Sequence, residues 1–173
     1  MKIVIKGAGD LATGVAWELF RAGHRIIMTE IAVPLTVRRQ VAYSRAVYER
    51  RAEVEGVTGV LAGSAEEAIA LSEQGVISVL VDPEARVREL WQPEVVIDAI
   101  MAKKNIGTTL TDAPLVLALG PGFTAGKDCH AVIETMRGEN LGRPIYKGSA
   151  IPNTGVPGMV GGYAMERLSK ASG

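Results

Sequence analysis

A chain of 173 residues is long enough for one domain with a single buried core and too short for two of full size. With 47% hydrophobic and 22% charged residues it has an ordinary globular mixture, which excludes disorder for the bulk of the chain. Lys plus Arg balance Asp plus Glu at 19 each, so no net field draws the protein to nucleic acid or to an anionic membrane, and neither is expected as a partner.

The first elements are strand, turn and helix. Ile3 to Ile5 form a short β-rich run ending at Gly7, and Leu11, Val15, Ala16, Leu19 and Phe20 then recur at helical spacing until Gly23. Arg25 to Glu30 reads as a second strand. Pro34 breaks the chain before an amphipathic helix expected over Val37 to Glu49, whose basic residues, with Glu49, Glu53 and Glu55 close by, read as a solvated face.

Val57 to Leu61 is a third strand. Ser64 and Glu67 form a capping box that opens a helix carrying Ala68, Ile69 and Leu71. Val76 to Val81 is almost wholly aliphatic, as a parallel strand covered on both faces should be, and Asp82-Pro83 ends it. A helical stretch from Glu84 to Leu90 leads to a strand over Val95 to Ala99. Strands alternating with helices predict an α/β fold of Rossmann-like type, a mostly parallel sheet with helices on both faces.

The pattern changes after Ile100, so residues 1–100 read as regular βα units and 101–173 as a loop-rich part of the same single domain. Leu115 to Leu119 is a further strand. Glycines and prolines then crowd into Gly120 to Gly162, where only Asp128 to Met136 and Pro144 to Lys147 look extended. A connecting region of that length is expected to serve a ligand or an interface, and a neighbouring copy of the chain is an expected partner.

Gly7-Ala8-Gly9-Asp10-Leu11-Ala12 matches G-x-G-x-x-G/A directly between a strand and a helix. Gly7 allows the tight turn, Gly9 lets a pyrophosphate approach the backbone, and Ala12 lets helix and strand pack closely, while amides at the start of the helix, including that of Leu11, face the phosphates. Glu30 closes the second strand about 20 residues on, where a carboxylate accepts ribose hydroxyls and repels a 2′-phosphate, so NAD or a related adenine nucleotide is favoured over NADP. A Rossmann-like unit without a cofactor is the alternative. Asp10 reads first as a cap for free helix amides and second as a ligand for a cation; no dedicated metal site is expected.

A second group runs from Asp98 to His130. Asp98 closes a buried strand, and Lys103 follows near the same sheet edge, which is the ligand crevice of doubly wound sheets; ordinary surface charges in a turn are the alternative. Gly120-Pro121-Gly122 starts a second glycine loop after a strand, expected on the same rim. Gly126-Lys127 is not a P-loop, because the earlier glycine is misplaced and Asp128 stands where Ser or Thr is required. Asp128, His130 and Glu134 fall on one face of an extended segment and Cys129 on the other, so a Cys129–His130 dyad is not expected. His130 is a candidate general acid or base, with a hydrogen-bonded structural histidine as the alternative. Ile151 to Gly158 suits a loop that folds over a ligand or against a subunit.

The single cysteine fits a reducing cytoplasm, and the short apolar start fits neither a signal peptide nor a membrane span.

Four separated segments resemble the YqeB family: Gly7 to Gly14, Asp98 to Asn105, Gly120 to Asp128 and Ile151 to Gly158. The resemblance implies an accessory protein of selenium-dependent molybdenum hydroxylase systems, with a Rossmann-like nucleotide domain, a molybdenum hydroxylase as a partner and the molybdenum cofactor as an indirect client. Similar proteins continue past Gly161 to Tyr163 into a further small domain. The rival expectation is an NAD-dependent oxidoreductase in which Asp98, Lys103 or His130 moves a proton beside a nicotinamide ring.

Overall fold

The computed structural model describes residues 1–152. Nine strands form one sheet in the order β3-β4-β5-β2-β1-β6-β7-β8-β9. In chain order these are β1 (Lys2–Lys6), β2 (Arg25–Glu30), β3 (Arg51–Val54), β4 (Val57–Ala62), β5 (Ile77–Val81), β6 (Val95–Asp98), β7 (Leu115–Leu119), β8 (Ala131–Ile133) and β9 (Pro144–Ile145). The helices are α1 (Asp10–Arg21), α2 (Ala46–Glu49), α3 (Ala65–Ser72) and α4 (Val87–Trp91). Strands β4 through β8 pair in parallel with their neighbours, and only the edge strands β3 and β9 are antiparallel. The expected mostly parallel α/β sheet is therefore present.

Alternation of side chains across the pleat divides the core into two faces. Ile3, Ile5, Ile26, Met28, Ile77, Val79, Val95 and Ile97 pack with α1 residues Ala12 and Ala16 on one face. Val4, Ile27, Leu80 and Val96 pack with Ala68 of α3 and Val87 and Trp91 of α4 on the other. Burial on both faces explains why the central strands are continuous apolar runs. Beyond them, Val116, Ala118 and Val132 are covered by the loop residues Phe123, Ala125 and Cys129 in place of a helix.

Helix α3 begins at the expected N-cap: Ser64 Oγ accepts from the Glu67 amide at 3.1 Å, while the Glu67 carboxylate reaches one residue past the N-cap and accepts from the Gly63 amide at 2.6 Å. Helix α4 starts later than the expected stretch over Glu84 to Leu90, because Ala85 takes φ +52 and interrupts the helical path.

The expected helix over Val37 to Glu49 is replaced by two 3₁₀ turns, Arg39–Val41 and Tyr43–Arg45, and the four-residue α2. Ala42 between the turns is extended, and tertiary partners take the backbone groups that a helix would have used. The Tyr43 amide donates to Thr13 Oγ1 at 2.9 Å and the Ser44 amide to the Ala8 carbonyl at 2.8 Å. Strand β3, read from sequence as part of a solvated charged face, is an edge strand joined to β4 by a tight turn in which Glu55 and Gly56 both have positive φ. Its exposed Arg51 and Glu53 suit an unprotected edge.

Tyr43 anchors this region. Its ring is fully buried and its hydroxyl donates to the Val57 carbonyl at 3.0 Å. Burial, and secondarily the charge of Glu53, holds the phenol protonated well beyond its ordinary range. A Cβ on Gly59 would lie 2.6 Å from the Tyr43 ring. Gly59→Ala is accordingly expected to lower stability by about 1–3 kcal/mol in urea denaturation, whereas a change within error would show that the ring yields freely.

Candidate functional site

Strands β1 and β6 lie side by side, but the chain leaves β1 toward β2 on one flank and β6 toward β7 on the other. This reversal is the topological switch point of a doubly wound sheet, where the loops after the strands part and leave a crevice. Gly7 follows β1 and Ala99 follows β6. Gly7 has φ +99, and a Cβ there would meet the Ala99 carbonyl oxygen at 2.9 Å, so only glycine lets the two loops approach.

A cleft of about 440 Å³ opens there, within the size range of small-molecule sites. Its lining includes Gly7, Gly9, Asp10, Leu11, Ala12 and Glu30, which the sequence had grouped, together with Ala99 to Met101 and part of the segment from Ile31 to Arg38. The segment after β2 forms an apolar lip, with Leu35 and Val37 respectively 84% and 96% exposed. A Cβ on Gly9, which lines the cleft, would meet Thr36 Oγ1 at 3.7 Å, an ordinary van der Waals contact, so a methyl group fits there without a clash.

The amides of the turn divide into two sets. The Gly7 amide donates to the Thr29 carbonyl at 2.8 Å, the Ala8 amide to Glu30 Oε2 at 3.0 Å, and the Leu11 amide to Asp10 Oδ1 at 3.0 Å. Among the described residues the amides of Gly9, Asp10 and Ala12 have no protein acceptor. Glu30 thus folds back on the turn, its other oxygen accepting from Ile31 at 2.9 Å. Asp10 is the first residue of α1 and not its N-cap, which is Gly9; its Oδ1 accepts from the Leu11 amide and it pairs with Arg38. Buried Ala12 packs into the core, as the close approach of α1 to the sheet requires.

The remaining candidates lie elsewhere. Asp98 is 1% exposed and alternates with Ile97, so its side chain enters the face of α3 and α4. There Lys6 Nζ donates to Thr108 Oγ1 at 2.7 Å, Thr108 Oγ1 donates to Asp98 Oδ2 at 2.6 Å, and the Lys6–Asp98 pair closes at 3.9 Å. Asp98 Oδ1 accepts from the Ile100 amide at 3.2 Å. This buried network ties the loop after β6 to the switch point. Lys103 is exposed on that loop with φ +63.

His130 precedes β8 and sits level with Val116, whose amide donates to its Nδ1 at 2.9 Å; the register places Asp98 level with Ala118, two residues further along. Asp128 accepts from the Thr124 amide at 2.8 Å, and buried Glu134 accepts from the amides of Met136 and Ile151, each at 2.9 Å. The three do not converge, because only Ala131–Ile133 of the expected extended segment is a strand.

Gly120 and Gly122 do stand at the sheet edge that carries Gly7, but they do not line the cleft. A Cβ on Gly120 would meet Thr135 Oγ1 at 2.9 Å and Met101 Cε at 3.0 Å, and one on Gly122 would meet the Lys104 backbone at 2.6 Å. These glycines make room for the turn after β6. The reading of Ile151 to Gly158 as a covering loop lies outside the described residues from 153 onward.

Burial, with the charges of Asp128 and Asp98 adding, pushes the Cys129 thiol up to about 11. At pH 8 about one molecule in a thousand then carries the thiolate. Native protein should resist iodoacetamide at pH 8, react readily once denatured, and label about tenfold faster per pH unit between pH 8 and 10. Fast native labelling at pH 8 would show a low-pKa, accessible thiol instead.

Among the described residues no group of three or more His, Cys, Asp or Glu is placed to hold a metal ion, and no helix is long and apolar enough to cross a membrane. Sequence reasoning missed Arg38, Thr36 and Met101 as cleft residues and Thr13 as the hydroxyl that pins Tyr43. Arg38 was visible only as one member of a basic run.

Comparison with known proteins finds a relative over nearly the whole chain. The uncharacterized protein YqeB of Escherichia coli (strain K12) is 52% identical over 169 residues, or 98% of this chain. The chain is homologous to YqeB. It spans 31% of that relative's length, so most of the relative lies outside the match. The similarity supports the YqeB family suggested by the four sequence segments. No protein-family model matches the chain. No solved structure matches it.

Proposed function

We propose that this chain binds a diphosphate-containing adenine nucleotide, of the NAD type, in the cleft between the loops after β1 and β6. The observation that carries this reading is the coincidence of three features at the switch point: the glycine turn, a cleft lined by Gly7 and Gly9, and the acceptor-free amides of Gly9, Asp10 and Ala12. Glu30 fits the ribose end. Each of its oxygens already takes one amide and keeps a further lone pair for a hydroxyl donor, while its charge disfavours a 2′-phosphate.

The role assigned to the bound protein is that of an accessory factor in maturation of a selenium-dependent molybdenum hydroxylase, with the molybdenum cofactor as an indirect client. The YqeB resemblance supports this part, and the cleft is neutral toward it. An oxidoreductase would need a proton donor beside the ligand, and Asp98, Lys103 and His130 do not line the cleft.

Calorimetry with purified protein tests the ligand: NAD and ADP are expected to bind saturably, with NADP weaker than NAD. Absence of saturable binding for NAD, NADP, ADP and a molybdopterin nucleotide would end the proposal. Co-purification of a molybdenum hydroxylase with the tagged protein tests the client, and its failure would leave only nucleotide binding.

A further inference from the structure

The cleft carries an unusual charge pattern for a phosphate site. Two carboxylates, Asp10 and Glu30, line it, and among the described residues Arg38 is the one cation in its lining. A diphosphate brought to this turn meets like charges on both sides, so its binding depends on that guanidinium. Yet Arg38 is already engaged. Its side chain is 70% exposed, and its one ion-pair partner among the described residues is Asp10.

Asp10 also holds the Leu11 amide through Oδ1. Its carboxylate therefore accepts from one amide at the start of α1 and neutralises one guanidinium, two groups that suit an anionic oxygen of a ligand. Both residues also line a second groove of about 640 Å³ along the outer side of α1, so the pair stands at the threshold between the two spaces. Arg38 belongs to the segment after Pro34, not to a regular helix or strand, and its five donors can be redirected by side-chain rotation alone.

We infer that Arg38 is the phosphate-binding cation of this site and that Asp10 is an internal competitor for it. The entering diphosphate displaces the Asp10 carboxylate from Arg38 and from the Leu11 amide. This inference rests on the proposal that the cleft takes a diphosphate nucleotide. Placement of Arg38 beside Asp10 at the start of α1, with Glu30 engaged by Ala8 and Ile31, assigns it to the diphosphate and not to a ribose 2′-phosphate.

The test is calorimetric titration of wild type, Asp10→Asn, Arg38→Gln and the double variant with ADP, NAD, NADP and adenosine, with and without magnesium. Circular dichroism and urea melts confirm that each variant is folded. Asp10→Asn is expected to tighten ADP and NAD by about tenfold and Arg38→Gln to weaken them by at least about tenfold, as loss or gain of one charge-assisted hydrogen bond implies. The double variant should resemble Arg38→Gln, and neither change should alter adenosine binding.

Binding of ADP by wild type and by Arg38→Gln with equal affinity would overturn the role of Arg38 while leaving the cleft assignment intact. So would an effect of Arg38→Gln confined to NADP. Weakening of ADP by Asp10→Asn, especially if it abolished a gain from magnesium, would show that Asp10 holds a cation and would overturn the competition. No saturable binding by any of the four proteins would refute the nucleotide reading itself, and this inference with it.

Discussion

Asp98→Ala is expected to lower the free energy of unfolding by about 3–5 kcal/mol, the scale on which one partner of a buried ion pair is missed. Lys6 is 5% exposed and Thr108 2% exposed, so neither can turn to water when the carboxylate goes. The Lys6 ammonium keeps one neutral hydroxyl as its partner, and Thr108 loses the acceptor it held at 2.6 Å. Because Asp98 also receives the Ile100 amide, the loop that forms one wall of the cleft should loosen as well. The double change Lys6→Met with Asp98→Leu removes both charges and should recover much of the loss, since apolar replacement of a whole buried pair is often neutral. Urea denaturation of the three proteins decides it. A loss below about 1 kcal/mol for Asp98→Ala would mean that water reaches Lys6 and that the network does not bind the loop to the sheet.

A second large effect separates the two glycines of the turn after β1. Gly7→Ala places a Cβ 2.9 Å from the Ala99 carbonyl at φ +99, so it combines backbone strain with a clash between the loops after β1 and β6. The expected loss of stability is about 2–4 kcal/mol, from a left-handed penalty plus overpacking. Gly9 has neither problem: its φ is −69 and the nearest atom to a new Cβ would be 3.7 Å away. Gly9→Ala should therefore leave stability within about 0.5 kcal/mol of wild type, as for a substitution away from packed features. It should still weaken nucleotide binding by at least about tenfold, because the methyl group enters the space through which a diphosphate approaches. Thermal melts and calorimetry on the same two variants measure both quantities. Equal nucleotide affinity in Gly9→Ala and wild type would show that no ligand approaches the backbone at Gly9.

These two residues also show what a sequence can reveal about this fold. The β1 turn α1 β2 unit was legible because every signal in it is local: an apolar run, glycines at fixed spacing, an apolar stripe on α1 and a terminal acid. Strand β7 was legible for the same reason, its Leu-Val-Leu-Ala-Leu run being bounded by a proline and a glycine. The segment from Val37 to Glu49 was misread because its apolar spacing is helical while two of its amides are claimed by Thr13 and Ala8, 30 and 36 residues away in the chain. Strand β3 was missed because its alternation of Arg51 and Glu53 with Ala52 and Val54 is only four residues long and merges with the charged run before it, and the turn Glu55-Gly56 lacks the commoner Asn-Gly or Asp-Gly signal.

At the site, long range defeated local reading. Asp98 was read as an acid closing a buried strand at the ligand crevice, and nothing nearby announced that Thr108 and Lys6, 102 residues apart in sequence, would close over it. Gly120 and Gly122 have the spacing of a ligand loop, yet their missing side chains admit the backbone of Lys103 and Lys104 and the side chains of Met101 and Thr135. Arg38 drew no notice among its basic neighbours, because the role proposed for it comes from its being, among the described residues, the one cation in the cleft lining.

Amide chemical-shift mapping tests the central claim most directly. Adding ADP or NAD to ¹⁵N-labelled protein should move the Gly9, Asp10 and Ala12 amide resonances saturably and with one common affinity, while adenosine leaves them near their starting positions. Unmoved resonances for these three amides at ligand saturation, or shifts confined to another part of the sheet, would contradict the assignment of the switch-point turn to a diphosphate.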